Sequence, residues 1–241
     1  MKTNGNTMLI TGGTSGIGLA TAKLFMPNNT VIVTGKTKQK IDNFRTAYPN
    51  AEAIYCNFDD EADIDALVQV VAEKYPQLNI LINNAGVQHN YYIQNEVSIS
   101  GRVKNEININ LTGQILLTLK LLPMLMQKKE AAILNTTSAL AITPKSDAIM
   151  YCATKAALHS FTKGLRYQLE NTNIKVLEIM PPLVDTRMTA GRGKGKISPK
   201  AMAKLIYDGL REDKQLITTP KIKFLALLNR IVPSLASKIL K

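Results

Sequence analysis

Tyr151 and Lys155 stand four residues apart in Tyr151-Cys152-Ala153-Thr154-Lys155, a spacing that puts both side chains on one helix face. A phenol has an ordinary pKa of about 10, and bringing it to neutrality takes about 4 kcal/mol. One ammonium about 4 Å away, at an effective dielectric of about 20, supplies about that much. The pair therefore suggests proton transfer at an oxygen. Tyr and Lys at this spacing are also a common surface pair, so the assignment depends on what stands around them. Cys152 lies inside the motif and reads as a buried thiol.

Three other clusters carry chemistry. Thr11-Gly12-Gly13-Thr14-Ser15-Gly16-Ile17-Gly18 joins a short apolar run, Met8–Thr11, to a helical pattern over Ser15–Met26. Glycines let backbone approach phosphate oxygens, and a helix N-terminus attracts the anion. The spacing is G-x-x-x-G-x-G, which differs from the G-x-G-x-x-G dinucleotide fingerprint. The second cluster is Asn83-Asn84-Ala85-Gly86, and the third is Thr136-Thr137-Ser138.

Strand-like and helix-like segments alternate along the chain. Strands are predicted at 8–11, 30–34, 53–56, 80–83, 131–137, 174–180 and 215–218. Helices are predicted at 15–26, 37–47, 60–74, 99–127 (mostly one long helix), 150–170 and 198–212. This alternation implies an α/β fold, a doubly wound and mainly parallel sheet with helices on both faces. Ligands of such sheets bind beyond the carboxyl ends of the strands. The glycine loop, Lys36, Asn57, Asn83–Gly86, Ser138 and Pro181-Pro182 each follow a predicted strand, so all fall at that one edge.

In this order and combination the motifs resemble the short-chain dehydrogenase/reductase family, over residues 7 to about 186. Within it, Tyr151-Cys-Ala-Thr-Lys-Ala-Ala-Leu-His-Ser-Phe-Thr and Pro-Pro-Leu-Val-Asp-Thr look like the DltE-type oxidoreductases. The resemblance implies a Rossmann-type dinucleotide domain over 1–220, followed by a basic amphipathic tail over 221–241. It implies Tyr151 as the proton donor or acceptor and Lys155 as the lysine that binds the nicotinamide ribose and lowers the tyrosine's pKa. Ser138 corresponds to the serine that holds the substrate oxygen, and Asn110 to the asparagine that positions a relay water. Cofactor contacts are expected from Gly12, Thr14, Ser15, Gly16, Ile17, Gly18, Lys36, Asn57, Phe58, Asn84, Ala85, Gly86, Tyr151, Lys155, Pro181, Leu183 and Thr186. Two departures stand out. Asn57 replaces an aspartate beside the adenine, and Pro182 replaces a glycine, which stiffens that loop.

NAD enzymes of this architecture place an acid at the end of the second strand, where it bonds the ribose 2′-hydroxyl. Here Gly35 stands there, followed by Lys36, with Lys38 and Lys40 nearby. A lysine attracts a 2′-phosphate that an acid would repel, so NADP(H) is expected over NAD(H). The expected reaction interconverts a carbonyl and an alcohol. The alternative from another class is an NADP-binding regulatory or scaffold protein without significant turnover.

Charge is unevenly spread. Residues 1–186 carry 17 basic and 15 acidic side chains, whereas 187–241 carry 13 and 3. Arg192, Lys194 and Lys196 alternate with glycines in a loop near 187–200, which reads as a solvated flexible loop; in the family it resembles, this region closes over substrate, where the cations would favour an anionic one. The loop lacks aromatic residues to stack bases, which argues against nucleic acid. In the tail, Phe224, Leu225, Leu228, Ile231, Val232, Leu235 and Ile239 form an apolar stripe among Lys221, Lys223, Arg230, Lys238 and Lys241, and Pro233 is expected to divide it into two helices. Such a tail suits packing on its own domain or a sister subunit, or contact with an anionic membrane surface. Two cysteines make no disulfide framework. The start of the chain has no apolar signal core, and the apolar run 115–126 is interrupted by Lys120 and Pro123. The chain therefore reads as soluble and cytoplasmic, with peripheral contact at the inner face of the membrane as a variant. A homodimer or homotetramer is implied by the resemblance.

Overall fold

A seven-stranded sheet in the order β3-β2-β1-β4-β5-β6-β7 runs through the computed structural model, which describes residues 1–95 and 98–232. The strands are β1 (Thr7–Ile10), β2 (Thr30–Gly35), β3 (Glu52–Tyr55), β4 (Leu78–Asn83), β5 (Ala131–Thr136), β6 (Ile174–Ile179) and β7 (Leu216–Ile217), and every neighbouring pair is parallel. The strand order reverses between β1 and β4. That is the switch point where a doubly wound sheet opens a crevice.

Alternation of side chains along each strand splits the core into two layers. Met8 and Ile10 of β1 face one layer with Val31 and Val33; Leu9 and Ile32 face the other. The first layer is covered by α1 (Gly16–Phe25), α2 (Lys38–Ala47) and α7 (Pro199–Arg211) through Ala22, Phe25, Ile41, Phe44, Met202, Ile206 and Leu210. The second is covered by α3 (Glu61–Lys74), α5 (Gly113–Met126) and α6 (Ile149–Gln168). Ile64, Leu67 and Val71 are the buried face of α3, the stripe its spacing predicts. Asp60 caps that helix by accepting the Ala62 N–H at 3.0 Å.

The predicted helix over 99–127 is interrupted. It runs as α4 (Ser100–Ile107), a π turn over Asn108–Thr112, then α5. A π turn adds a residue without changing the apolar pattern much, so periodicity does not reveal it. Gly113, where α5 begins, packs so closely on Phe58 that an added Cβ would lie 2.7 Å from its carbonyl oxygen. By length and composition the helical stretch Ser100–Met126 is apolar enough to cross a bilayer, with a mean hydropathy of 1.4 over its best window. This corrects the expectation that Lys120 and Pro123 interrupt the run too soon, because α5 continues through Pro123. Its Leu117, Leu121 and Leu125 are packed on the sheet.

The tail begins with α8 (Pro220–Ile231). Ile222, Leu225 and Leu228 pack against Ala139 and Met180, while Phe224, Leu227 and Ile231 on the other face are exposed. The expected division at Pro233, with Leu235, Lys238, Ile239 and Lys241, lies outside the described residues.

Candidate active site

Backbone contacts shape the first wall of the crevice. Gly12 and Gly16 take positive φ angles of 65° and 56°, which glycine adopts without strain. A Cβ at Gly12 would lie 3.0 Å from the Ala85 Cα, and one at Gly18 would lie 2.6 Å from the Gly12 carbonyl oxygen. Thr11 joins this loop to the end of β4. Its hydroxyl accepts the N–H groups of Asn84 at 2.8 Å and Ala85 at 2.9 Å, and its carbonyl accepts the Asn84 amide at 3.0 Å. Gln114 of α5 donates a short hydrogen bond to the Ala85 carbonyl. Ser15 precedes α1 without capping it through its side chain, leaving the first-turn N–H groups free of a side-chain acceptor. That is the arrangement a phosphate needs.

At the end of β2 the structure gives position 35 no room for a side chain. A Cβ on Gly35 would sit 2.9 Å from Thr14 Cγ2 and 3.1 Å from Ile41 Cδ1. Lys36 follows, exposed, and among the described residues it forms no ion pair. Asn57 and Phe58 follow β3. The Asn57 N–H donates to Asp63 at 2.9 Å, and Phe58 is buried against the second core layer.

Ser138, Tyr151 and Lys155 converge from β5 and α6. The Ser138 hydroxyl accepts the Leu140 N–H at 3.1 Å and lies close enough to the Tyr151 phenol to act on its pKa. Lys155 Nζ lies 5.8 Å from the Tyr151 ring centroid and donates to the Thr136 carbonyl at 2.7 Å. Both side chains are buried. The end of β5 is braced from behind, where Thr137 donates to Glu178 at 2.5 Å and His159 meets the same carboxylate at 2.8 and 3.0 Å. His159 is one turn beyond Lys155, so a single face of α6 holds both sides of Thr136-Thr137-Ser138.

Burial pushes the Tyr151 phenol up to about 12. The polar Ser138 side chain and the charge of Arg192 oppose that rise, while Cys152 and Glu106 add to it. Burial also pulls the Lys155 ammonium down to about 8. The direction for the phenol is therefore opposite to the one reasoned from lysine alone, because desolvation disfavours the phenolate and the ammonium is turned toward Thr136. Burial raises the Cys152 thiol as well, which agrees with an inert thiol.

Asn110 sits in the π turn and spends its amide on structure. Its Oδ1 accepts the Val87 N–H at 2.8 Å, and its Nδ2 donates to the Val87 carbonyl at 2.8 Å and to Thr154 at 3.3 Å. Gly86 lies between it and the lysine. A Cβ there would be 3.2 Å from Asn110 Oδ1 and 3.7 Å from Lys155 Nζ.

The far wall follows β6. Pro181 is buried, and Leu183 and Thr186 are half-buried. Thr186 Cγ2 would be 3.3 Å from a Cβ on Gly16, so this loop reaches across to the glycine turn. The segment from Leu183 returns on itself at Ile197, whose N–H donates to the Leu183 carbonyl at 3.0 Å and whose carbonyl accepts the Asp185 N–H at 2.9 Å. Arg192, near the tip, donates a short hydrogen bond to Asn90, which follows β4 on the opposite side. Tyr91 is buried, whereas Tyr92 is exposed.

In the sequence Thr11 has no role beyond its place at the head of the glycine turn, and Gln114, Asn90 and Glu106 are not singled out. Glu106 of α4 is fully buried, with one oxygen accepting the His89 N–H at 2.9 Å and the other without a partner among the described residues. A carboxylate inside an otherwise helical stripe was the available signal.

The family model for short chain dehydrogenases matches residues 6–196. Over 233 residues the chain is 38% identical to the uncharacterized oxidoreductase DltE of Bacillus subtilis, covering 92% of this chain and 91% of that protein. Among solved structures, a short-chain dehydrogenase/reductase from Burkholderia phymatum in complex with NAD aligns with a TM-score of 0.86 at 20% identity, covering 98% of this chain and 96% of the other. A short-chain dehydrogenase from Sphingobium yanoikuyae in complex with NADPH aligns with a TM-score of 0.83 at 22% identity, covering 96% and 95%.

Proposed function

The chain belongs to the short-chain dehydrogenase family, and from that premise we propose that it is an NADP(H)-dependent oxidoreductase that interconverts a carbonyl and an alcohol. The observation that carries this reading is the meeting of the Ser138 hydroxyl, the Tyr151 phenol and the Lys155 ammonium at the carboxyl end of β5.

The walls described above suit a dinucleotide. Gly12, Thr14, Ser15, Gly16, Ile17 and Gly18 would hold its pyrophosphate, with Asn84, Ala85 and Gly86 beneath it. Asn57 and Phe58 would flank the adenine, and Pro181, Leu183 and Thr186 would flank the nicotinamide. Lys36, with Gly35 in place of an acid, supports NADP(H) over NAD(H). The cofactor, when bound, supplies or accepts the hydride. Tyr151 and Lys155 would also bind its ribose.

Ser138 orients the substrate oxygen by hydrogen bonding. Tyr151, protonated at neutral pH because its phenol lies near about 12, donates a proton to that oxygen in the reductive direction. Lys155, held by Thr136, places a positive charge beside the ring and favours the phenolate left behind. Asn110 fixes Val87 and Thr154 so that the floor of the site keeps its shape. Homodimeric or homotetrameric assembly in the cytoplasm belongs to the same reading. The outer face of α8, with Phe224, Leu227 and Ile231 among Lys221, Lys223 and Arg230, has the composition of a peripheral contact with anionic lipid.

The test is NADPH oxidation across ketones, aldehydes, quinones and acidic carbonyl compounds, repeated with NADH. Turnover of at least one class with NADPH preferred is expected. Absence of turnover across the panel would leave the regulatory alternative, and a clear NADH preference would overturn the cofactor assignment.

A further inference from the structure

We infer that Arg192 is a specificity-determining residue that selects carbonyl substrates bearing a carboxylate or phosphate. This rests on the oxidoreductase reading above and names the substrate class of the same site.

The three cations of the glycine-rich loop have different surroundings. Lys196 turns to the base of its own loop, donating to the Thr189 carbonyl at 2.6 Å and pairing with Asp185 at 3.4 Å. Lys194 is exposed, with no side-chain partner among the described residues. Only Arg192 crosses the crevice, to Asn90 on the loop after β4, 102 residues away in sequence.

The loop is built to deliver it. The paired segment at Leu183–Asp185 and Ile197 closes its base, and Lys196 ties that base to Thr189. At the tip Gly191, Gly193 and Gly195 have φ of 71°, 61° and 71°, and a Cβ on Gly193 would come within 2.4 Å of Leu183. The tip is thus a tight turn pressed on a residue expected beside the nicotinamide. The Arg192 charge also opposes the rise that burial causes in the Tyr151 phenol.

The contact that holds Arg192 is with a neutral amide. Among the described residues its guanidinium forms no ion pair, and the nearby acids are engaged or buried. Asp147, where burial works against ionisation, is kept below its ordinary value by Lys145 at 2.9 Å and by Asn90. Glu106 is buried, and burial raises its carboxyl above the ordinary value although the His89 N–H opposes this. A half-buried guanidinium is a planar fork of donors that pairs best with a planar anion, and an amide oxygen uses only part of it. A substrate whose carbonyl sits at Tyr151 and Ser138 and whose anionic oxygens reach Arg192 would replace Asn90 as its partner.

The experiment uses the full chain loaded with NADP+, which binds carbonyl compounds without reducing them, so affinity is read apart from turnover. Calorimetry compares 2-, 3- and 4-oxo acids with their methyl esters, and a phosphorylated ketone with its dephosphorylated form. The expected result is at least about tenfold tighter binding of one anionic member over its neutral partner, the scale of one charge-assisted contact. In Arg192→Met that preference should vanish while the neutral partner binds within about twofold of its original affinity. Arg192→Lys should keep part of the preference, and Lys194→Met all of it. Whether the acids or the phosphorylated ketone show the preference identifies the anion. Equal affinity within every pair, absence of binding by any anionic member, or a preference that survives Arg192→Met would overturn the assignment. The same panel with NADPH separates the two readings. Anion-selective binding without turnover would support Arg192 and overturn the enzymatic role, whereas turnover indifferent to charge would do the reverse.

Discussion

On the β1–α1 side of the crevice, main chain meets main chain. Gly12 lies against Ala85, Gly18 against the Gly12 carbonyl, and the Thr11 hydroxyl ties the loop to Asn84 and Ala85. On the β6 side the segment from Leu183 to Ile197 is paired at its base, and its tip reaches the opposite side through one long side chain, Arg192, on Asn90. The first wall leaves no volume for variation and suits a ligand part that never changes. The second can alter what it presents by exchanging a few side chains. Under the proposed function, the shared part of the reaction would belong on the first wall and the choice of substrate on the second.

Substitutions should separate the two walls. The largest effect is expected from Gly18→Ala, whose new methyl would overlap the Gly12 carbonyl and the Asn84 amide. NADPH affinity measured by calorimetry should fall by at least about a hundredfold, on the order of 3 kcal/mol. Wild-type affinity in that variant would mean the glycine wall is not tight. Next is Leu225→Ala on the inner face of α8, which should lower unfolding stability in urea by about 2–4 kcal/mol. Lys36→Ser should then change the NADPH-to-NADH preference by about tenfold while leaving substrate selectivity unmoved. A substrate effect there would blur the division between the walls. The smallest is Leu227→Ser on the outer face of α8, expected within about 0.5 kcal/mol of the original stability. A large loss would mean that this face, too, is covered.

The fold was legible because apolar strand runs and amphipathic helices alternate with few exceptions, and strand ends fell within a residue or two of their predicted positions. The glycine, Asn-Asn-Ala-Gly, Ser138 and Tyr151/Lys155 positions were legible because motif and strand-end placement coincide. Thr11 and Gln114 were not, since a hydroxyl or amide inside an apolar pattern declares its partner only when a distant element arrives. The π turn at Asn108–Thr112 escaped because it leaves the helical stripe nearly intact. The Tyr151 phenol was misjudged because a pair on a helix displays its Coulomb attraction in the sequence but not the burial that opposes it. The tail's composition suits either packing or contact with an anionic surface. In α8 one face packs on Ala139 and Met180 and the other, with Phe224, Leu227 and Ile231, is exposed, a division set by which residues meet the domain.

The most direct test is the turnover of Tyr151→Phe, which removes one oxygen from a buried ring and leaves its packing in place. With NADPH affinity measured on the same sample and unchanged within about threefold, kcat for carbonyl reduction should fall by about 10²–10⁴-fold. A variant that binds NADPH normally and still reduces its substrate at the original rate would contradict the assignment of proton transfer to this phenol.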